Sequence, residues 1–106
     1  MLKKYEDFSK GEEQRVYYEK TMLGKLFLIY PTRSKIELIV IAKCLEVFHY
    51  GDSNWGQFDG YILNPEERKG EHWRSQEYLH DYVNSIPTPE EIKEYEYYNA
   101  IDNYNL

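Results

Sequence analysis

Residues 34–51, SKIELIVIAKCLEVFHYG, carry the longest apolar concentration in the chain. From Ile36 to Phe48 the only polar side chains are those of Glu37, Lys43 and Glu46. A segment that is apolar on nearly all sides must be covered on nearly all sides. We therefore expect the rest of the 106-residue chain to be organised around this stretch.

The sequence favours two different structures for this stretch. Ser34 and Glu37 have the spacing of a helical capping box, and Gly51 stands where a C-cap glycine would end the helix. The length also exceeds the 4–8 residues of a typical apolar strand. Composition favours a strand, because five of the residues are β-branched: Ile36, Ile39, Val40, Ile41 and Val47. We predict a central apolar helix over residues 36–48 and keep the strand as the alternative.

Length and composition indicate one folded domain over residues 1–106. The 42% hydrophobic and 17% aromatic content argues against disorder. Cys44 is the single cysteine, so no intrachain disulfide can form. No run reaches the ~18 apolar residues of a membrane span, and the first residues lack an apolar signal region. These features predict a cytoplasmic protein that does not enter a membrane.

The segments before and after the central stretch predict short strands and amphipathic helices. We expect a helix within residues 1–24, with Ser9 as N-cap and Gly24 at its end. Its expected inward side chains are Val16, Tyr17 and Leu23, with Met22 as a further candidate. Residues 25–30 and 61–63 read as two strands that pair with each other, and the glycine-rich segment 51–60 reads as a loop.

Within that loop, Trp55 and Phe58 are expected to fold back onto the core. Further helices are predicted at residues 64–70, 71–85 and 89–101, the last with a capping box between Thr88 and Glu91. The predicted fold class is α+β, with a short antiparallel sheet packed by the central helix and by flanking amphipathic helices.

The net charge of −6 lies entirely in the last third of the chain. Residues 1–74 hold 12 acidic and 12 basic side chains, whereas residues 75–106 hold seven acidic side chains and the single base Lys93. Such a surface disfavours direct binding of nucleic acid, which needs lysine and arginine. It favours a basic protein partner, and a nucleic-acid-binding enzyme is the sharper form of that expectation.

Tyrosines alternate with the acidic residues in this C-terminal part, which we predict to be helical over much of residues 75–106. Tyrosine is enriched in binding hot spots, and carboxylates three or four residues apart lie on one side of a helix. The alternative is a solvated acidic helix without a partner. The predicted partner-binding residues are Glu77, Asp81, Glu90, Glu91, Glu94, Glu96, Tyr97, Tyr98, Asp102 and, from the glycine-rich segment, Trp55.

No sequence motif indicates catalysis, a cofactor or a metal site. Phosphate loops, dinucleotide fingerprints and nucleophile elbows are not found in the sequence. Cys44 lies in the most apolar stretch, where a cysteine behaves as a small hydrophobe. His49, His72 and His80 do not have the spacing of converging ligands. We therefore predict a protein that is not an enzyme.

Three hypotheses of function follow. The first is a small acidic inhibitor or adaptor of a basic partner, with nucleic-acid mimicry against a nuclease, restriction or CRISPR-type effector as its sharper version. Anti-defence inhibitors of phages and mobile elements share this size and composition. The second is an immunity or antitoxin-like protein that plugs a toxin active site, with Trp55 or Tyr97 as anchor. The third is a small enzyme or ligand-binding module with a pocket around His49, Trp55 and Tyr61.

Overall fold

Four antiparallel strands in the order β1-β2-β3-β4 form the centre of the molecule, with one helix before them and one after them. The computed structural model describes residues 13–31, 35–79 and 86–104. Helix α1 is described over residues 13–22. The other elements are β1 (Leu26–Ile29), β2 (Ile39–Tyr50), β3 (Ser53–Asn64), β4 (His72–Tyr78) and α2 (Pro89–Tyr104). The α+β class is confirmed.

The central apolar stretch is a strand, and its predicted helix is wrong. β2 runs over 12 residues and pairs with β1 on one side and β3 on the other. Val40, Ala42 and Cys44 lie on the first face of the sheet, and Ile41 lies on the second. Both faces are covered at this end of β2, so the strand is apolar without interruption there.

An extra residue in β2 hid the strand pattern in the sequence. The register shifts between Cys44 and Glu46, which leaves Leu45 unpaired as a bulge. Val47 nevertheless lies on the first face with Cys44. Cys44 and Val47 are three positions apart, instead of the two positions expected for one face of a regular strand. A spacing of three is typical of a helix.

The segment predicted as a loop is mostly strand. Gly51 and Asp52 alone form the turn between β2 and β3. Gly51 has φ +64° and the following Asp52 does not have positive φ, as expected for a type II′ hairpin turn. Gly51 therefore turns a hairpin and does not cap a helix. Phe58 is fully buried as predicted, while Trp55 is half-buried on the opposite face.

β4 replaces the helix predicted over residues 71–85. It pairs with β3 from Trp55↔Tyr78 to Tyr61↔His72. Pairing with a neighbouring strand has overridden the weak helical pattern of this segment. Residues 80–85 of the prediction lie outside the described part of the chain. The expected pairing of residues 61–63 with 25–30 is also wrong, because β2 lies between β1 and β3.

Each face of the sheet carries its own apolar cluster. The first face packs against Met22, and the half-buried Tyr18 of α1 joins it. The second face packs against Tyr95 and Tyr98 of α2. The first cluster contains Met22, Phe27, Ile29, Leu38, Val40, Ala42, Cys44, Val47, Phe58, Ile62 and Leu79. The two helices therefore lie on opposite faces of one sheet.

The first and last predicted helices are present where the structure describes them. Residues 13–22 are helical, and Gly24 follows with φ +77°. Ser9 lies outside the described residues. Met22 is buried in the first cluster as expected, whereas the expected inward packing of Val16, Tyr17 and Leu23 is wrong because all three are exposed. The segment predicted at 64–70 is a 3₁₀ turn, Glu66–Arg68. No helix among the described residues is long and apolar enough to cross a membrane.

Candidate functional site

Helix α2 is held on the second face by a cluster of tyrosine rings around Tyr61 of β3. The centre of the Tyr61 ring lies 5.6 Å from the ring centres of both Tyr95 and Tyr98. The Tyr61 hydroxyl donates to Asn99 Oδ1 at 3.4 Å. Lys43 Nζ lies 5.9 Å from the centre of the Tyr95 ring. These contacts fix which side of α2 faces the sheet.

The beginning of α2 is stabilised by the predicted capping box. The Glu91 backbone N–H donates to Thr88 Oγ1 at 3.2 Å, and the Thr88 N–H donates to Glu91 Oε1 at 2.7 Å. One turn later, Lys69 Nζ pairs with Glu94 Oε1 at 2.9 Å. This contact joins α2 to the segment that follows the 3₁₀ turn. Two of the predicted binding glutamates therefore have structural contacts within the chain.

The opposite side of α2 exposes an apolar stripe. Tyr97, Ala100, Ile101 and Tyr104, which we call the outer stripe, occupy positions i, i+3, i+4 and i+7 and line one shallow groove. Tyr97 is 64% exposed and Tyr104 is 90% exposed. Glu90 continues this line two turns earlier and is also exposed. A helix normally buries such a stripe against another surface.

The other predicted binding residues are divided among several places. Glu96 is exposed beside the outer stripe. Tyr98 is half-buried against the sheet, so its expected place on the outer surface is wrong. Asp102 is exposed but interacts with Tyr61, on the sheet side of α2. Ile101 is also exposed.

Two of the predicted acidic residues are not on α2. Glu77 lies on β4 and accepts a hydrogen bond from Ser75 Oγ at 3.1 Å. Asp81 lies outside the described residues. The predicted set is therefore not one surface, and Glu90, Glu96 and Tyr97 are its members that lie together on the exposed side of α2.

The tyrosines beneath α2 resist ionisation. Burial is the main cause that raises the pKa of Tyr61, followed by its hydrogen bond to Asp102. Burial also raises the pKa of Tyr95 and Tyr98. All three hydroxyls thus stay protonated at neutral pH, so this contact between helix and sheet contains no phenolate charge.

No family model, curated protein or solved structure matches this chain. The function is therefore argued from the geometry of the chain itself.

Beyond α2, the second face continues as an open surface with an aromatic end. Val47 lies on the first face, so its neighbours Glu46 and Phe48 point to the second. Phe48 pairs with Trp55, and Glu46 pairs with Gln57. Phe48, Tyr50, Trp55 and Gln76 line a cavity of about 340 Å³. Trp55 therefore lies on the same face of the sheet as α2, in the part beyond the helix.

A row of charged residues separates the aromatic end from α2. Asp59 Oδ2 accepts from Arg74 Nε at 2.9 Å, and Asp59 Oδ1 lies 2.7 Å from His72 Nε2. Lys43 lies directly opposite Asp59 in the register of β2 and β3. The row contains two bases, Lys43 and Arg74, and one acid, Asp59, which forms an ion pair with Arg74. Among the described residues, no group of three potential ligands converges to hold a metal ion.

The pocket expected around His49, Trp55 and Tyr61 does not bring these three residues together. His49 Nδ1 lies 3.2 Å from Asn54 Oδ1, and Asn54 Nδ2 donates to Gln14 Oε1 of α1 at 3.5 Å. Tyr61 is buried beneath α2. Trp55 instead shares its cavity with Phe48, Tyr50 and Gln76.

Sequence reasoning missed two groups of exposed residues. The spacing of Tyr97, Ile101 and Tyr104 could have revealed the outer stripe, because the helix itself was predicted. Phe48 and Tyr50 could not be assigned to the Trp55 cavity without the pairing of β2 with β3. Gln76 could be assigned there only once β4 was known to be a strand.

Proposed function

We propose that this chain is a small acidic protein that binds a basic protein partner through the outer face of α2 and acts as its inhibitor or adaptor. The observation that supports this proposal most strongly is the outer stripe, an exposed line of apolar side chains on a helix anchored from behind. A site without any catalytic constellation in the described residues is consistent with a binding role.

The outer stripe has the spacing used by helices that insert into apolar grooves of a partner. Such helices present anchors at i, i+3, i+4 and i+7. Tyr97 and Tyr104 offer large rings with few rotatable bonds, and Ile101 lies between them. Because α2 is fixed to the sheet by Tyr61 and Tyr95, the anchors are ordered before binding. Preorganisation of this kind lowers the entropic cost of association.

The charge around the stripe specifies the kind of partner. Glu90 and Glu96 are exposed, while Glu91 is used by the capping box and Glu94 by Lys69. A groove with apolar walls and basic residues at its rim complements this arrangement. Rim charges act mainly on the association rate, so binding should weaken as salt concentration rises.

Nucleic-acid mimicry is the sharper version of this proposal. A partner that handles DNA or RNA, such as a nuclease, restriction or CRISPR-type effector, has the basic groove that an acidic helix fits. With Glu91 and Glu94 engaged, Glu90 and Glu96 would be the carboxylates on α2 that take the place of phosphates. The immunity-type alternative uses the same anchors, with a basic toxin as partner.

The proposal is tested by capture of partners from the lysate of a candidate host at low and high salt. The intact chain is compared with Glu90→Lys/Glu96→Lys, which spares the cap and the Lys69 contact. Glu13→Lys/Glu37→Lys is the matched control, because both residues are exposed and lie outside α2.

We expect the intact chain and the control to retain one basic partner at low salt, and the α2 variant to lose it. Equal capture by all three chains would contradict the proposal. The captured protein then separates the versions: a nucleic-acid enzyme supports mimicry, and a toxin supports the immunity-type alternative.

A further inference from the structure

The cavity at the aromatic end of the second face is lined by three aromatic side chains, Phe48, Tyr50 and Trp55, together with Gln76. Its volume is about 340 Å³. Phe48 and Trp55 are half-buried, whereas Tyr50 is 77% exposed at the rim. The rings therefore form an open, concave aromatic surface, and the described lining residues are uncharged.

The Trp55 ring is held in place by the strand beside it. Its centre lies 5.3 Å from that of Tyr78, with an interplanar angle of 89°. The Tyr78 hydroxyl accepts from Ser53 Oγ at 2.8 Å. This chain of contacts across β3 and β4 orders the indole before any ligand arrives.

The surroundings of the cavity favour a cation. The faces of aromatic rings carry negative potential, and tryptophan attracts cations most strongly. Glu46 lies in the adjacent row of the same face and is exposed. Among the described residues, the nearest basic groups on this face are Lys43 and Arg74, one row further, where Arg74 is paired with Asp59. The net charge of −6 adds a long-range attraction for positive groups.

We propose that this cavity receives an arginine side chain of the basic partner. A planar guanidinium can stack on an aromatic face while its N–H groups donate to an amide or carboxylate oxygen. Gln76 Oε1 in the lining and the Glu46 carboxylate in the next row are such acceptors. A lysine ammonium is a compact point charge and cannot make the same stacked contact.

The inference rests on the proposed function, since it places the arginine on the same partner that binds α2. Trp55 and α2 lie on one face of the sheet. A single partner that covers this face can therefore contact the outer stripe and the cavity together. Two linked contacts of this kind strengthen each other without any further interaction.

The test is a titration of the intact chain, labelled with ¹⁵N at its two tryptophans, with the peptide acetyl-Gly-Arg-Gly-amide. Trp73→Phe identifies which indole signal belongs to Trp55. Acetyl-Gly-citrulline-Gly-amide is the matched ligand, because citrulline has the shape of arginine without its charge. A third peptide carries lysine.

We expect a saturable shift of the Trp55 indole signal with a dissociation constant in the millimolar range, typical of one side chain. The citrulline and lysine peptides should bind about tenfold more weakly. Tyr50→Ala should weaken arginine binding, and Glu46→Gln should do so to a smaller extent. Tyr30→Ala, an exposed tyrosine at the end of β1, is the control and should have no effect.

Equal binding of the citrulline peptide, no saturable shift, or unaltered binding by Tyr50→Ala would overturn the inference. Equal binding of the lysine peptide would overturn the assignment to arginine. Glu90→Lys/Glu96→Lys keeps the cavity and should bind the arginine peptide normally. If the peptide fails while this variant still loses the captured partner, the cavity is refuted and the α2 surface stands. If the arginine peptide binds while Glu90→Lys/Glu96→Lys still captures the partner, the α2 surface is refuted and the cavity stands.

Discussion

Gly60 of β3 pairs with Ala42 of β2, and there is no room for a side chain at this position. A Cβ atom at this position would lie 1.9 Å from the carbonyl oxygen of Ile41 and 2.5 Å from the Cα of Ala42. Both neighbours are backbone atoms in the middle of the sheet, so they cannot move without disturbing the ladder.

Gly60→Ala should therefore lower the free energy of unfolding by about 3 kcal/mol or more. Gly24→Ala is the control, because Gly24 has φ +77° but open space around it. It should cost about 1 kcal/mol, the strain of a left-handed alanine. Urea unfolding of both variants checks this, and similar losses in the two would contradict the steric explanation.

Cys44 is buried on the first face, and burial raises the pKa of its thiol to about 11. The unfolded thiol titrates near its ordinary value of 9.0. Below about pH 9 both states hold the proton, and the full stability is present. As the pH rises from about 9 towards 11, the unfolded chain releases a proton that the folded chain keeps. The free energy of unfolding therefore falls over this range.

Cys44→Ala should be less stable at pH 7, because a buried sulfur is lost, by about 1 kcal/mol. Its further loss between pH 9 and 11 should be smaller than that of the intact chain. Urea unfolding at pH 7, 9 and 10.5 measures both effects. If the free energy of unfolding falls equally with pH in the two proteins, the thiol titrates alike in the folded and unfolded states.

At the scale of elements, the capping box is the local feature that decides where α2 begins. Thr88→Ala removes the acceptor for the Glu91 N–H and should destabilise the protein by about 1 kcal/mol. Thr88→Ser keeps the hydroxyl, so its free energy of unfolding should differ from that of the intact chain by only about a few tenths of a kcal/mol. Amide exchange in the first turn of α2 should accelerate in the alanine variant alone. Equal protection in both variants would show that the cap is not needed.

The elements that were predicted correctly have their signals in a few adjacent residues. α2 was predicted from Thr88, Pro89 and Glu91, and the end of α1 from Gly24. β1 was predicted from a short apolar run bounded by Gly24 and Pro31. Such signals act locally, so they do not depend on the rest of the fold.

The elements that were predicted wrongly depend on partners distant in sequence. β2 is apolar on both sides because β1, β3 and both helices surround one end of it, and its bulge at Leu45 disturbs the alternation. β4 has a polar sequence and is a strand because β3 pairs with it. Local propensity could not predict either outcome. The Trp55 cavity was missed for the same reason.

At the scale of the whole molecule, two helices cover one sheet unequally. α1 covers the first face together with the larger apolar cluster. On the second face, α2 packs around Ile41 and Tyr61, while Phe48, Tyr50 and Trp55 lie beyond it. The outer stripe, Glu90, Glu96 and the aromatic cavity are therefore all available on one side of the molecule. Of the acidic residues predicted from the sequence, Glu90 and Glu96 lie on this side.

The outer stripe is the central claim of the account, and its contribution to binding can be measured directly. The measurement is the affinity of the captured partner for the intact chain and for Tyr97→Ala/Ile101→Ala/Tyr104→Ala. All three side chains are exposed, and the internal ring contact described among them is that of Tyr97 with Tyr98, at 5.6 Å between ring centres. Because the Tyr61 and Tyr95 contacts remain, the variant should unfold at nearly the same urea concentration as the intact chain. Tyr30→Ala/Leu45→Ala removes exposed apolar side chains elsewhere and serves as the control.

We expect the stripe variant to bind the partner at least about 30-fold more weakly, because two or more hot-spot side chains are lost. The control should bind as the intact chain does. A stripe variant that is folded and binds with unchanged affinity would contradict the account and would make α2 a solvated helix.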